Sequence, residues 1–514
     1  MTGYVRTAGR PAARAGTRGR GLALSAEWIK FRTVRGWLIG MLLAPLLTVG
    51  IALLNHSTCG GIVTPGQPAS QGGCAAPPAG PGGEAVTDSF YFVRQPLPGN
   101  GSITARITSL DAGPGPAGLG PWSKAGIILT AGTRPGAAYA AVLATGGHGV
   151  RMQYNYTGDV AGPPGAVSPA APRWLRLTRA GDTVTGYTSA DGVRWSVVST
   201  VRLAGLPATV QAGMFAAAPA SSQTTSQSVT GSSSAGAASL AVARFDDLRL
   251  SGARAGRPWT GGPVGGPLPG SGFHHAGGVV TVTGSGDIAP YVPGAGGAPG
   301  STIGSTLLGA VAGLIAAIVV ATMFMTAEYR RGLIRVTLAA TPARSRVLAA
   351  KAAVIGAVTF AAGLAGAVVA VVLGERLLRS NGNFIIPAGF VADLRVVAGT
   401  AALLAVAAVF ALALGAIFRH AAGAVTAAIA LTALPYLLAL TALRGGAGDW
   451  LLRATPAAAF AIQQTTPQFR QVSAAYTIGN GYFPLAPWAG FAVLCGYAAL
   501  ALALAVVLIR RRDA

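Results

Sequence analysis

The residues of this sequence that could carry out chemistry are few, and their spacing does not assemble a catalytic site. A zinc site needs histidines four residues apart on a helix or a close pair of cysteines. His148, His274 and His275 stand in glycine-rich stretches without such partners, which indicates solvated loop side chains. Asp246 and Asp247 lack the surrounding oxygen ligands of a calcium loop. With no Gly-x-Ser-x-Gly nucleophile motif either, we expect that the chain is not an enzyme and itself binds no metal or cofactor.

Nucleotide binding through a P-loop is also not expected. Such a loop needs a lysine directly after a glycine, because that side chain reaches the terminal phosphates. The only three lysines, Lys30, Lys124 and Lys351, follow an isoleucine, a serine and an alanine. The chain therefore carries no Walker-type ATPase motif.

The composition indicates a membrane protein. Of 514 residues, 51% are hydrophobic and 10% are charged, whereas soluble domains carry about 25% charged residues. The formal net charge of +23 could suit a nucleic-acid partner, but the arginines stand largely beside the ends of apolar stretches. We interpret them as a topology signal and expect no nucleic-acid partner.

Six apolar stretches are long enough to cross the roughly 30 Å of bilayer hydrocarbon. They cover residues 36–54, 305–325, 352–373, 396–418, 421–443 and 488–509. Basic clusters precede the first stretch, separate the second from the third and follow the last, so the positive-inside rule predicts cytoplasmic N- and C-termini in a bacterial plasma membrane. The first stretch could be a cleaved signal sequence, but its length and long basic arm favour a retained anchor. These stretches lack internal Asp, Glu and His, so coupling to protons or sodium is not expected.

The basic arm, residues 1–35, ends in a predicted amphipathic helix on the membrane surface. Apolar, aromatic and charged side chains alternate there in a way that suits the boundary between water and lipid. The residues assigned to this interfacial helix are Glu27, Trp28, Lys30, Phe31, Arg32 and Arg35.

An extracytoplasmic insert is predicted between the first and second spans, at residues 55–304. It contains short runs with two-residue alternation separated by turn signals, a pattern typical of an antiparallel β-sandwich, which we place at about 90–250. Its flanks are rich in Gly, Pro and Ser and are interpreted as linkers. Cys59 and Cys74 could form a disulfide there or remain two unrelated loop thiols.

Part of this insert resembles the concanavalin/laminin-G-like sandwich family. The resemblance lies in the run from Trp174 to Trp195, whose Asp191-Gly192 step closes a hairpin, and in A-R-F-D-D-L-R-L from Ala243. Members often bind glycans, so the resemblance implies a ligand surface at Trp174 and Trp195; the alternative is that both pack in the core or at a sheet edge. A glycan hydrolase would need paired carboxylates, and none stands out.

The stretch T-A-E-Y-R-R-G-L-I-R-V-T-L-A-A-T-P-A-R-S-R-V-L-A-A-K, residues 326–351, resembles the linker between the second and third helices of type-2 ATP-binding-cassette (ABC) exporter permeases. A-E-W-I-K-F-R-T-V-R, residues 26–35, is similar to the segment before their first helix. The resemblance implies six helices per half, pairing with a second half (the same chain or a homologue), and a separate P-loop ATPase subunit that binds ATP and Mg. The alternative is that the arginines only fix topology. The residues that the resemblance assigns to ATPase coupling are Glu328, Tyr329, Arg330, Arg331, Gly332 and Thr337.

The sequence thus predicts a mainly α-helical polytopic membrane protein with an inserted β-sandwich. Its expected function is the permease subunit of an ATP-driven exporter. The alternative is a membrane-anchored extracellular binding or adhesion protein without transport activity. Members of the permease family usually have a short first external loop, so the long insert prevents an inference of the substrate by analogy.

Overall fold

The computed structural model describes two kinds of architecture, a helical bundle and a β-sandwich. The described residues are 24–54, 74–115, 118–228, 231–237, 239–252, 257–295, 298–330, 344–442, 446–474 and 476–512.

Eight α-helices lie among the described residues. They are α1 (24–33), α2 (Arg35–Leu54), α3 (Ala310–Arg330), α4 (Arg344–Ser380), α5 (Phe390–Phe418), α6 (Ala421–Thr441), α7 (Gly446–Ala454) and α8 (Pro487–Arg512). Six of them, α2 to α6 and α8, are long and apolar enough to cross a membrane. The prediction of six such helices is confirmed. Several are longer than the predicted spans, so that α3 also includes Glu328 near its end.

Helix α5 is at the centre of the bundle and packs against α3, α4, α6 and α8. Small residues let these helices approach closely: a Cβ built on Gly363 would lie 2.9 Å from a side-chain carbon of Leu404. Helices α2 and α8 are the least buried and turn leucine-rich faces outward. Such faces suit lipid or another membrane-spanning partner.

Between α7 and α8 the chain enters the bundle as a 3-10 helix, Pro456–Gln463, all of whose residues are buried. It packs against α5, α6 and α8. Irregular backbone is tolerated at membrane depth where protein covers it. The proline-rich segment before the last span therefore dips into the bundle.

The β-unit comprises eighteen described strands. They are β1 (Val86–Asp88), β2 (Phe90–Pro98), β3 (Gly101–Ala112), β4 (Lys124–Thr130), β5 (Tyr139–Thr145), β6 (Val150–Tyr154), β7 (Gly158–Ala161), β8 (Arg173–Ala180), β9 (Thr183–Ser189), β10 (Ser196–Arg202), β11 (Thr209–Ala217), β12 (Ser221–Ser228), β13 (Gly231–Ala237), β14 (Ala241–Ser251), β15 (Thr260–Val264), β16 (Gly272–Ala276), β17 (Val279–Gly284) and β18 (Ile288–Pro290). Sheet I has the order β10-β9-β8-β3-β14-β17-β16, and sheet II the order β15-β2-β11-β4-β5-β6-β7. Strands β1 and β18 pair as a ribbon, as do β12 and β13.

The two sheets pack face to face because their strands alternate apolar and polar residues. In β3, Ile103, Ala105 and Ile107 are fully buried, while the residues between them are partly exposed. They share one core with residues of sheet II such as Ile127. The sheets do not close into a barrel, so the unit is an antiparallel, sandwich-like fold.

The sandwich extends further along the chain than the sequence-based boundary at residue 250. Strands β15 to β18 lie in the region interpreted as a linker, and β17 pairs with β14 inside sheet I. Its sequence, V-V-T-V-T-G, alternates as a half-buried strand should. Glycine and proline around it conceal that signal, because they lower the β-propensity of the surrounding window.

The sandwich rests on the segments that join the membrane-spanning helices at one end of the bundle. Gln471, which precedes α8, donates hydrogen bonds from Nε2 to the carbonyl oxygens of Tyr156 and Thr157, each at 3.3 Å. Between α4 and α5, Phe384 packs edge-on against Tyr291 with ring centroids 6.5 Å apart. The two parts of the molecule are therefore in direct contact.

Candidate functional site

At the end of the bundle away from the sandwich, four charged side chains form a closed cluster, which we call the charge cluster: Glu27, Lys30, Glu328 and Lys351. Nζ of Lys351 lies 2.7 Å from Oε2 of Glu27 and 2.9 Å from Oε1 of Glu328. Nζ of Lys30 lies 2.8 Å from Oε1 of Glu27 and 3.0 Å from Oε1 of Glu328. Each cation thus contacts both anions, and the formal charges sum to zero.

The charge cluster is buried apart from Lys30. The Lys351 side chain is 1% exposed and that of Lys30 is 39% exposed. Burial lowers the pKa of Lys30, but its hydrogen bonds to Glu27 and Glu328 outweigh burial and raise that pKa above its ordinary value. Oε2 of Glu328 has no hydrogen-bond partner in the described part of the chain. Ion pairs this deep persist only with several partners, because an isolated charge there is strongly disfavoured.

An aromatic group holds the charge cluster against the bundle. Phe31 of α1 is fully buried and packs on Trp37 and Phe324, with ring centroids 6.2 Å and 5.6 Å away. Nζ of Lys351 sits 4.3 Å from the centroid of the Phe324 ring, a cation–π contact. Glu27 and Phe31 are one helical turn apart on α1, so a single face of α1 supplies both a charged and an apolar anchor.

Other residues assigned to the interfacial helix point elsewhere. Trp28, Arg32 and Arg35 are exposed. The helix therefore inserts Glu27 and Phe31 into the protein and turns its remaining aromatic and basic side chains outward.

Of the six residues assigned to ATPase coupling, three lie within the described part of the chain. Glu328 belongs to the charge cluster, and the guanidinium of Arg419 lies 5.3 Å from the ring centroid of Tyr329. Arg330 is the last residue of α3. The remaining three assigned residues, Arg331, Gly332 and Thr337, lie outside the described residues.

No separate role was assigned to Lys351 from the sequence. The rarity of lysine in this chain is the feature that could have drawn attention to it. The chain has 38 Lys and Arg residues, of which three are Lys. All three lysines form ion pairs: Lys124, 0% exposed, pairs with Asp287 at 2.7 Å inside the sandwich. Lys124 and Lys351 are both buried and ion-paired, where a compact ammonium fits a closed pocket.

Trp174 and Trp195, assigned to a ligand surface, are partly exposed and lie outside the sandwich core. The guanidinium of Arg106 lies 5.0 Å from the centroid of Trp174, and that of Arg176 lies 3.8 Å from that of Trp195. Nε1 of Trp195 also donates to the carbonyl of Gly192 at 3.1 Å. Both tryptophans therefore border the Asp191-Gly192 turn, where one ring face of each is occupied by an arginine.

The structure also places two of the cysteines and the three histidines singled out in the sequence. Cys74 is disulfide-bonded and Cys495 is a free thiol; Cys59, the other member of the predicted pair, lies outside the described residues. His148 is exposed and stacks on Trp122, with centroids 4.0 Å apart. His274 and His275, expected in a loop, are exposed residues of the edge strand β16.

Comparisons with known proteins give no family. No protein-family description matches the chain, and no curated protein matches it. Among solved structures, a functionally unknown protein from Saccharomyces cerevisiae has a TM-score of 0.16 and 15% identity, with 25% of this chain and 64% of that chain covered. The eqolisin-family peptidase SCP-B in complex with a tripeptide has a TM-score of 0.23 and 8% identity, with 38% and 98% covered. The glycosidase BlXynB of family GH43 from Bacillus licheniformis has a TM-score of 0.18 and 17% identity, with 23% and 24% covered.

The likeness to glutamic peptidases contradicts the expectation that the chain is not an enzyme, and that expectation is withdrawn. At a TM-score of 0.23 the likeness carries no argument for peptidase activity in this chain.

Proposed function

We propose that the chain is the membrane-spanning permease subunit of an ATP-driven exporter, energised by a separate P-loop ATPase subunit. The observation that carries the proposal is the charge cluster. It joins α1, the end of α3 and the start of α4, and so connects both segments that resemble ABC exporter permeases. The resemblance places ATPase contacts at the end of α3, from Glu328 to Arg330, and in the residues that follow it up to Thr337.

The charge cluster is suited to transmit force. Separating Lys351 from both carboxylates inside an apolar bundle leaves uncompensated buried charge, at a cost of about 3–5 kcal/mol. A partner that pushes on α1 or on the α3–α4 connection therefore moves the ends of α3 and α4 together. ATP and Mg are bound by the partner subunit in this proposal, and this chain supplies the receiving surface.

Orientation follows from the basic residues. The charge cluster and the α5–α6 turn at Arg419 lie at the bundle end that the positive-inside rule assigns to the cytoplasm. The sandwich then lies outside a bacterial plasma membrane. The outward apolar faces of α2 and α8 are available to lipid and to a second permease half, which is the same chain or a homologue.

The sandwich takes a ligand-binding role in this proposal, and a glycan is one candidate ligand. The Trp174 and Trp195 pairs with arginine provide rigid planar surfaces bordered by donors, which suits polar ring compounds. The alternative function, a membrane-anchored binding or adhesion protein, rests on the same surface. It does not explain a buried charge cluster at the opposite end of the bundle.

The experiment is co-purification of the tagged chain with candidate P-loop ATPase subunits in nanodiscs, with and without nucleotide. The test variant, Glu328→Gln with Lys351→Met, removes one charge of each sign from the charge cluster. Its matched control, Glu375→Gln with Arg379→Met, removes an exposed pair 2.9 Å apart at the other end of α4. We expect wild type and control to retain the ATPase and the test variant to lose it. Absence of any ATPase under every nucleotide condition would contradict the permease function and favour the anchored binding protein.

A further inference from the structure

A cavity of about 360 Å³ lies at the base of the sandwich. Its wall includes Pro77, Pro78, Pro135, Tyr291 and Asp88. The volume falls within the roughly 300–1,000 Å³ usual for small-molecule sites. Asp88 is the acidic residue of this wall.

Asp88 is 7% exposed, and only one of its carboxylate oxygens has partners. Oδ2 accepts hydrogen bonds from the Tyr156 hydroxyl at 2.7 Å and from the Gly136 backbone amide at 2.9 Å. Within the described residues Oδ1 accepts no hydrogen bond. The hydrogen bonds of Asp88 therefore occupy one oxygen, and the residue itself lines the cavity.

Comparison with the other buried acids shows that Asp88 lacks a cation. Four acidic residues in the described ranges are less than 10% exposed. Glu27 and Glu328 are paired with two lysines, and Asp287 with Lys124; Asp88 has no ion pair within the part of the chain that the structure describes. Burial raises the pKa of Asp88, although the Tyr156 and Gly136 hydrogen bonds lower it.

The other wall residues select the kind of cation. Proline rings and Val86 give apolar surface, and Tyr291 is the aromatic residue of the wall. A hydrated metal ion needs several oxygen ligands in a small site, whereas an alkylammonium matches one carboxylate, an aromatic ring and apolar walls.

We propose that this cavity binds a small organic ammonium ion, with its charge beside Oδ1 of Asp88 and its alkyl groups against the prolines and Tyr291. The site does not depend on transport. Because Tyr291 also contacts Phe384, the bound ion lies one ring away from the α4–α5 connection.

The test uses the full chain in nanodiscs at constant sodium chloride, titrated calorimetrically with choline and with 3,3-dimethylbutan-1-ol, its uncharged isostere. Choline is expected to bind saturably and at least tenfold more tightly than the alcohol. Equal affinity of the two compounds, or no binding of choline, would overturn the proposal.

Two variants locate the site. Asp88→Asn keeps an oxygen for Tyr156 and Gly136 but loses the charge, and Ala76→Trp fills the cavity from its exposed rim. Each should weaken choline binding at least tenfold, while the matched change Asp111→Asn at an exposed sandwich position should leave it unchanged. Choline affinity that survives both Asp88→Asn and Ala76→Trp in folded protein would place the binding elsewhere and refute the assignment.

Discussion

The ammonium of Lys351 lies 2.7 Å from Oε2 of Glu27, although 324 residues separate them along the chain. The whole sandwich is inserted between these two positions. The contact shows that the segment before the first membrane-spanning helix folds together with the start of α4. Formation of this end of the bundle therefore requires both membrane portions of the chain.

The two lysines of the charge cluster should differ in their effect on stability. Lys351→Met leaves two buried carboxylates with one half-exposed cation, and we expect a loss of about 3 kcal/mol or more. Lys30→Met removes a charge that solvent already screens, so its loss should be nearer 1 kcal/mol. Thermal unfolding of both variants in nanodiscs measures this order. Equal midpoints would show that Lys351 is not the central cation.

A structural feature can be predicted from the sequence when residues close together in the chain determine it. Hydrophobic length alone gave the six membrane-capable helices, because the bilayer imposes it locally. The pairing of Glu27 with Lys351 has no local signature, since it depends on how α1 and α4 pack. The rarity of lysine could have singled out Lys351, but composition cannot identify which acidic residue Lys351 contacts.

The buried pair of Lys124 and Asp287 predicts a non-additive result. Asp287→Asn leaves the fully buried Lys124 without its carboxylate and should lower the stability of the sandwich by about 3–5 kcal/mol. Adding Lys124→Met removes the orphaned cation, and the double variant should recover most of that loss. Hydrogen exchange of the β4 amides in the full chain measures this loss and its recovery. A double variant as unstable as Asp287→Asn would show that the cost lies in lost hydrogen bonds.

We predict that Gln471 stabilises the contact between the sandwich and the bundle. Gln471→Ala removes two hydrogen bonds to the β6–β7 turn, each worth about 1 kcal/mol, and leaves two carbonyls unpaired. Exchange should accelerate around residues 155–157 and 464–474. The exposed Gln468 provides the matched control, because Gln468→Ala changes the same segment without that contact. Equal exchange in the two variants would contradict an anchoring role.

For the strands, as for the charge cluster, local sequence predicts only part of the structure. Alternation in the run from Trp174 to Trp195 predicted β8 and β9, each of which has one face in the core. Strands β2 and β11, which lie side by side in sheet II, carry a weaker two-residue pattern, because β2 contains two prolines and β11 ends in a continuous buried run. Strands buried on both faces lose the two-residue period.

Two glycines with similar backbone angles should respond differently to alanine. Gly192 and Gly205 have φ of +75° and +77°, so either substitution should cost roughly 1–2 kcal/mol in backbone strain. A Cβ at Gly192 would also lie 2.9 Å from Nε1 of Trp174, whereas at Gly205 nothing lies within 4 Å. Gly192→Ala should therefore be the more damaging and should shift tryptophan emission. If Gly205→Ala destabilises as much, the tryptophan contact is not what restricts the turn.

The Asp191 turn gives a prediction for pH. Backbone amides of Arg194 and Val193, and then the Ser189 hydroxyl, donate to this carboxylate and lower its pKa from 3.8 to about 2. A lowered pKa means that the folded state binds fewer protons than the unfolded state between these values, so stability rises with pH there. The contribution is complete above pH 3.8 and disappears as pH falls toward 2.

Asp191→Asn, which keeps an acceptor but no charge, should lower the unfolding midpoint at pH 7, and its difference from wild type should close between pH 4 and pH 2. Because the carboxylate is fully exposed, added salt should shrink the difference at pH 7 as well. A difference that persists unchanged at pH 2 would assign the effect to turn geometry instead of to charge.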